Sequence, residues 1–177
     1  MAALTHVVQV APHSVAVRDS NAGDGEFLCR VYASTRTDEL AQVPWTHEQK
    51  ERFLRQQFQA QDHAYRNNYP GAEFSIIVAD AANAGRLYLH RRPDEIRIMD
   101  IALLPEFRGR GIATQLLKQI LQEGQTSSRI VTIHVEVFNP AQRLYQRLGF
   151  SKVAEQGVYC LMEWRSHLRS SQKAPQR

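Results

Sequence analysis

Two stretches of the chain combine residue types and spacings that could do chemistry. The first is PEFRGRGIATQLLKQIL, Pro105 to Leu121, where Arg108, Gly109, Arg110 and Gly111 form a tight loop and an apolar-striped helix follows with no acid in its first turns. A helix amino terminus has unpaired N–H groups and partial positive charge, so a glycine loop feeding it is an anion site, above all for phosphate. Glycine at 109 and 111 lets backbone approach phosphate oxygens, and an anion of at least two charges offsets Arg108 and Arg110. Two nucleotide readings fail on spacing. A P-loop needs GxxxxGK followed by Ser or Thr, which is absent. A dinucleotide fingerprint needs GxGxxG or GxGxxA, whereas Gly109-Arg110-Gly111-Ile112-Ala113-Thr114 ends in Thr and no acid follows at a strand end about 20 residues on.

The second stretch is TIHVEV, which alternates, placing Thr132, His134 and Glu136 on one face opposite Val131, Ile133, Val135 and Val137. Asp100 similarly interrupts the apolar run RIMDIAL. A carboxylate on such a strand can serve as a general base, or can merely bond backbone or an arginine. Cys29 and Cys160 lie far apart, without metal-ligand spacing; Cys29 lies too early in the chain for a nucleophile, and Cys160, on a late strand, has no basic neighbour in sequence. They read as free, buried thiols rather than nucleophiles, and no metal site is expected.

The elements around these stretches follow from pattern. SVAVR alternates as a short strand, DSNAGDG is turn chemistry, and a helix is expected near GEFLCRVYAST. RTDELAQVPW reads as irregular. Thr46 and Gln49 have capping-box spacing at the head of a long helix whose apolar face is Phe53, Leu54, Phe58, Ala64 and Tyr65. EFSIIVADA, GRLYLHR and EIRIMDIALL, separated by ANAG and RPD, predict an antiparallel meander. In the helix after the loop, Ile112, Leu116, Leu117, Ile120 and Leu121 share a face, and its end is expected near Gly124. RIVTIHVEV is a further strand, NPAQRLYQRLGF a short helix closed by Gly149, and KVAEQGVYCLMEW a hairpin around Gly157.

Composition sets outer limits. The 177 residues suit one α/β domain, and the formal charge of +4 is matched by Arg165, Arg169, Lys173 and Arg177 in a terminal stretch that has no acid. The body is then neutral, which argues against nucleic acid as a partner. Without a basic leader or about 18 consecutive apolar residues, the chain reads as cytoplasmic, with no membrane partner.

MDIALLPEFRGRGIATQLLKQIL resembles the acetyl-CoA-binding motif of the GNAT superfamily of N-acetyltransferases, whose loop signature is met by Arg108, Gly111 and Ala113. NPAQRLYQRLGF resembles the next motif of that superfamily through Asn139, Leu144, Tyr145, Leu148, Gly149 and Phe150, though Asn139-Pro140-Ala141 is one residue shorter than the usual NxxA. One strand separates the two, and the resemblance extends roughly from Phe74 to Trp164. It implies a GNAT-type α/β fold, a mixed and strongly bent sheet of about six or seven strands with four main helices, over residues 1–164, and a basic tail over 165–177.

The resemblance also implies acetyl-CoA as co-substrate. Its pyrophosphate would rest on backbone N–H groups of Arg108, Gly109, Arg110, Gly111, Ile112 and Ala113, and its pantetheine arm would pair with Ile101, Ala102 and Leu103, with Asn139 and Tyr145 also at the coenzyme. Tyr145 matches the family's acid for the departing thiolate. Glu136, then Asp100, are the expected bases, although family members differ in the residue or water chain used. The implied reaction is direct acetyl transfer, in a ternary complex, to a primary amine of a small molecule, protein or peptide. Asp38 and Glu39, within Thr35 to Trp45, could attract that amine. A homodimer stays open. The alternative is an acyl-CoA sensor of the same fold without turnover.

Overall fold

The computed structural model describes residues 14–166, so the basic tail from 167 onward lies outside the described residues. The elements in chain order are β1 (Val15–Asp19), α1 (Gly25–Ser34), α2 (Thr37–Ala41), α3 (His47–Asn68), β2 (Glu73–Ala79), β3 (Ala82–Arg91) and β4 (Glu95–Leu103). There follow α4 (Ile112–Thr126), β5 (Ile130–Glu136), α5 (Gln142–Arg147), β6 (Ser151–Gln156) and β7 (Tyr159–Trp164). The strands form one mixed seven-stranded sheet in the order β1-β2-β3-β4-β5-β7-β6, antiparallel except for β4 with β5.

Alternation along the strands builds two apolar layers. Ile77, Leu87, Leu89, Ile96 and Ile98 pack with the expected face of α4, while Ile76 and Tyr88 point the other way onto Leu28, Cys29, Tyr32 and Phe58 of α1 and α3. The capping box at Thr46 and Gln49 forms as expected, with both reciprocal bonds present. No helix among the described residues is long and apolar enough to cross a membrane.

Three local expectations are corrected. The stretch read as irregular contains a fifth helix, α2, because Asp38 and Glu39 sit favourably in its first turn and Leu40 is buried. The first hairpin turns at Asp80-Ala81, both left-handed (φ 50° and 65°), and ANAG is already strand. α4 runs through Gly124 to Thr126, since that glycine serves close packing: a Cβ there would lie 2.8 Å from Val131 Cγ2.

The feature that makes room for a site is in β4. Leu89 pairs with Ile98, but Tyr88 pairs with Asp100, so Met99 is one residue too many for its partner strand. Such a bulge bends the strand and resets which face its side chains take. Ile96 and Ile98 pack on the α4 side before it, Ile101 and Leu103 after it, and Asp100 turns to the side of Tyr88. The parallel ladder with β5 runs only from Glu95–Ile130 to Ile98–Ile133, after which the two strands part.

At the start of α1, the buried Asp24 accepts from Arg18 Nη1 at 2.8 Å, Arg18 Nη2 at 2.7 Å and the Asn21 N–H at 2.8 Å. These bonds, that of Arg18 foremost, hold its carboxyl at about 2. The folded value lies below the unfolded one, near 3.9, so the stabilisation is present above about pH 4 and is lost as pH falls toward 2. Asp24→Asn is therefore expected to cost about 2–3 kcal/mol at pH 7, with the gap from the parent closing toward pH 2. Urea unfolding across that range measures it, and a gap independent of pH contradicts the assignment.

Candidate active site

Beyond β4 the chain makes a single 3-10 turn, Pro105–Phe107, and then takes left-handed conformations at Gly109 (φ 72°) and Gly111 (φ 78°). Only glycine tolerates these φ values at little cost. Gly111 caps α4 with no side-chain bond, no acid occupies the first turn, and among the described residues nothing lies within 4 Å of where a Cβ would stand at either glycine. The result is an open backbone cradle at a helix amino terminus, which fits a pyrophosphate. Ile112 is buried and Ala113 packs on the core, so what they can offer an anion is their N–H groups.

The two loop arginines divide. Arg110 lies over the Phe107 ring, 5.4 Å from its centroid. The guanidinium of Arg108 is committed to backbone and a hydroxyl: Nε donates to Leu103 O at 2.9 Å, and Nη2 to Ser34 O and Ser34 Oγ, each at 3.1 Å.

Between the parted strands is a cavity of about 210 Å³. It brings together six of the residues singled out from sequence: Asp100, Ile101, Ala102, Glu136, Asn139 and Tyr145. Leu103 is not among its walls; its side chain belongs to the core. The glycine cradle lies further along, past the end of β4. Asn139 Oδ1 accepts from the Ala141 N–H at 2.9 Å, fixing the entry to α5.

Electrostatics separate the candidate bases. Asp100 Oδ2 is 2.6 Å from Arg86 Nη2, whose side chain is only 3% exposed and also donates to Gln61 Oε1 at 3.1 Å. That guanidinium is further sandwiched by the rings of Tyr32 and Tyr88. Glu136 is partly exposed at the mouth; its Oε1 is 3.3 Å from Arg36 Nη1, a nitrogen also 2.9 Å from Glu39 Oε1. Of the other residues on that face of β5, Thr132 is buried and donates to Glu95. His134 Nδ1 lies 2.9 Å from Arg97 Nη2; a guanidinium only donates, so Nδ1 accepts and the ring proton sits on Nε2. Burial first, then Arg97, pushes the His134 pKa down and keeps the ring neutral at pH 7.

Tyr145, on α5, is 4% exposed and packs edge-on against Phe150 at 5.7 Å. Burial, with the Asp100 charge as the second cause, pushes its phenol well above the usual value, so it stays protonated. Tyr65 on the opposite wall is raised to about 12, again chiefly by burial. Arg86, Gln61 and Tyr159 were not singled out from sequence, and Tyr65 only as part of the apolar face of α3. Arg86 carries a signal nonetheless, as a charge inside the strand GRLYLHR. Cys29 and Cys160 are buried free thiols away from the cavity, and burial raises the Cys29 pKa. Among the described residues no group of three or more His, Cys, Asp or Glu could hold a metal ion.

Known proteins share this fold. The PaiA N-acetyltransferase of Thermoplasma acidophilum, solved with coenzyme A, superposes with a TM-score of 0.65 at 18% identity over 86% of this chain and 99% of that one, a likeness of fold. The spore coat polysaccharide biosynthesis protein SpsD of Bacillus subtilis (strain 168) is 32% identical over 153 residues, 80% of this chain. The chain spans about half of that relative, 48% of its length. A protein of the same organism, named as a candidate alanine N-acetyltransferase for ribosomal protein bS18, is 29% identical over 136 residues, covering 76% of this chain and 79% of its own. Residues 34–150, which run from the end of α1 through the glycine cradle to Phe150 behind Tyr145, match the profile of the Acetyltransferase (GNAT) family, and the chain belongs to that family.

Proposed function

We propose that the chain is an acetyl-CoA-dependent N-acetyltransferase that acts in the cytoplasm and transfers acetyl directly to a primary amine while both substrates are bound. The observation that carries this reading is the cavity itself: a protonated tyrosine, two carboxylates and the unpaired edge of β4 converge where β4 and β5 part. Coenzyme A bound to PaiA, and the alanine acceptor in the name of the bS18-directed relative, support the two substrate classes.

Acetyl-CoA supplies an activated thioester. The chain's residues bind and orient it: N–H groups of Gly109 to Ala113 hold the pyrophosphate, that of Arg108, expected from sequence to join them, being bonded instead to Pro105 O at 3.2 Å, and the edge of β4 at Ile101 and Ala102 pairs with the arm and donates an N–H to the thioester oxygen as charge builds there. Tyr145 donates its phenolic hydrogen to the departing sulfur. Glu136 takes the proton of the amine, since it stands at the mouth and can release that proton to solvent, whereas the Asp100 carboxylate is tied to buried Arg86. Asp100 then keeps Arg86 neutralised on the cavity floor. The absence of either cysteine from the cavity favours direct transfer over an acyl-enzyme.

Screening an amine library for coenzyme A release tests the reaction, and amine-independent binding without release would favour the sensor reading. Gly111→Val tests the cradle. In the parent, coenzyme A at 100 times its Kd adds about 2.7 kcal/mol of stability, hence a rise in Tm of several degrees. A β-branched side chain at φ 78° would be strained and would fill the cradle, so the variant is expected to lose the ligand-dependent rise. Undiminished binding by the variant overturns the loop assignment.

A further inference from the structure

We infer that Arg108 is a positioning residue that couples the coenzyme cradle to the acceptor wall, so that coenzyme A binding organises the residues that receive the amine. The inference rests on the coenzyme reading given above.

The connection is short and can be followed atom by atom. α1 ends at Ser34 without a basic residue in its last turn; Val31 O, Tyr32 O and Ala33 O are met by local donors, which leaves the Ser34 carbonyl to seek a donor and the helix dipole to seek a cation. Both needs are met from 74 residues away by Arg108 Nη2, which donates to Ser34 O and Oγ at 3.1 Å. Ser34 Oγ donates in turn to Val31 O at 2.8 Å, so its lone pairs are free to accept. The same guanidinium, through Nε, holds Leu103 O at 2.9 Å, at the end of β4. A planar, rigid group thus fixes the distance between the strand that carries the coenzyme arm and the helix end from which the acceptor wall continues.

That wall begins at once. Thr35 and Arg36 line the cavity immediately after Ser34, and Arg36 reaches across it to Glu136 at 3.3 Å. On its other side Arg108 directly precedes Gly109, the first left-handed residue of the cradle. The series is therefore cradle, Arg108, Ser34, Arg36, Glu136. The Arg108–Ser34 bonds are exposed to solvent, so in the free protein they compete with water and open readily. Anion binding that orders residues 108–111 fixes the root of the Arg108 side chain and closes them. By linkage, whatever steadies the acceptor wall must then tighten coenzyme binding by the same factor.

The test is hydrogen–deuterium exchange on the full chain, with and without saturating coenzyme A, alongside calorimetric Kd values, for the parent, Arg108→Gln, Arg108→Lys and Arg110→Gln. In the parent, coenzyme A should slow exchange in residues 108–116 and also in 33–40. Both Arg108 variants should bind coenzyme A within about ten-fold of the parent and protect 108–116, yet leave 33–40 unprotected; Lys keeps the charge but cannot bond in two directions. Arg110→Gln should transmit protection as the parent does. Once an acceptor is known, the Arg108 variants should show a KM for it raised about ten-fold with kcat little changed. Loss of coenzyme A affinity beyond ten-fold in the Arg108 variants makes Arg108 a ligand and overturns the proposal. So does protection of 33–40 that persists in them, that Lys restores, or that the parent never shows. A parent that does not bind coenzyme A at all overturns the coenzyme reading instead.

Discussion

Tyr145→Phe is expected to lower kcat by about 10²–10⁴, or about 3–5 kcal/mol of barrier, with coenzyme A affinity and thermal stability close to those of the parent. The ring makes the packing contacts, with Phe150 above all, and the substitution keeps it. What is lost is the one hydrogen that can be given to the departing sulfur. The raised phenol pKa has two consequences that pull in opposite directions. It guarantees a protonated donor at any physiological pH, but it makes tyrosine a weaker acid than a thiol of pKa about 8.5, so full transfer in water would be uphill. The burial that raises the phenol also disfavours the thiolate, which narrows that gap. In the proposed mechanism Tyr145 therefore acts mainly by a strong hydrogen bond to the leaving sulfur. The defect belongs in kcat rather than KM, because the hydroxyl gains its partner only as the C–S bond breaks. Near-parental kcat in the variant would reduce Tyr145 to a packing residue.

Gly85→Ala is expected to be among the most damaging single substitutions for the fold, at about 3–5 kcal/mol, or a fall in Tm of about 8–15 °C. Gly85 faces Leu103 across the β3–β4 ladder, and a Cβ there would overlap the carbonyl oxygen of Ala102 while standing 2.9 Å from Leu103 Cδ2 and 3.0 Å from Leu103 Cα. The obstacle is backbone, so no rotamer change relieves it. β4 must shift at Ala102, in the segment that lines the cavity. The folded fraction should therefore also lose turnover beyond its loss of stability. A Tm within about 2 °C of the parent would show that β4 yields more easily than its pairing indicates.

Much of this was legible in the chain because each signal was local. The alternation of Thr132 to Val137, the stripe from Ile112 to Leu121 and the Thr46–Gln49 box all depend on neighbours within a turn or a strand, and all formed. Asp100 and Glu136 stood out as carboxylates on apolar strands and Tyr145 through the family resemblance, and the cavity holds all three. What stayed hidden depended on partners distant in sequence. Gly124 looks like a helix stop until Val131 is seen against it, and Arg108 looks like a phosphate ligand until Ser34 is seen beneath it. Arg36–Glu136 joins residues 100 apart, a pairing that no periodicity encodes. The bulge was readable in principle: the apolar phase Ile96, Ile98 resumes at Ile101, Leu103, one place late.

That surplus residue makes the activity vulnerable in a way the fold is not. Dropping Met99 would bring Ile96, Ile98, Ile101 and Leu103 into one unbroken alternation and let β4 and β5 zip further, exchanging the fork for additional ladder. Substitutions erode a protein through its stability, and selection can remove them as they accumulate; a loss of one codon here would strike the cleft between β4 and β5 while leaving a sheet that still assembles. A lineage that no longer needed the reaction could shed it in one step and keep the scaffold for another use.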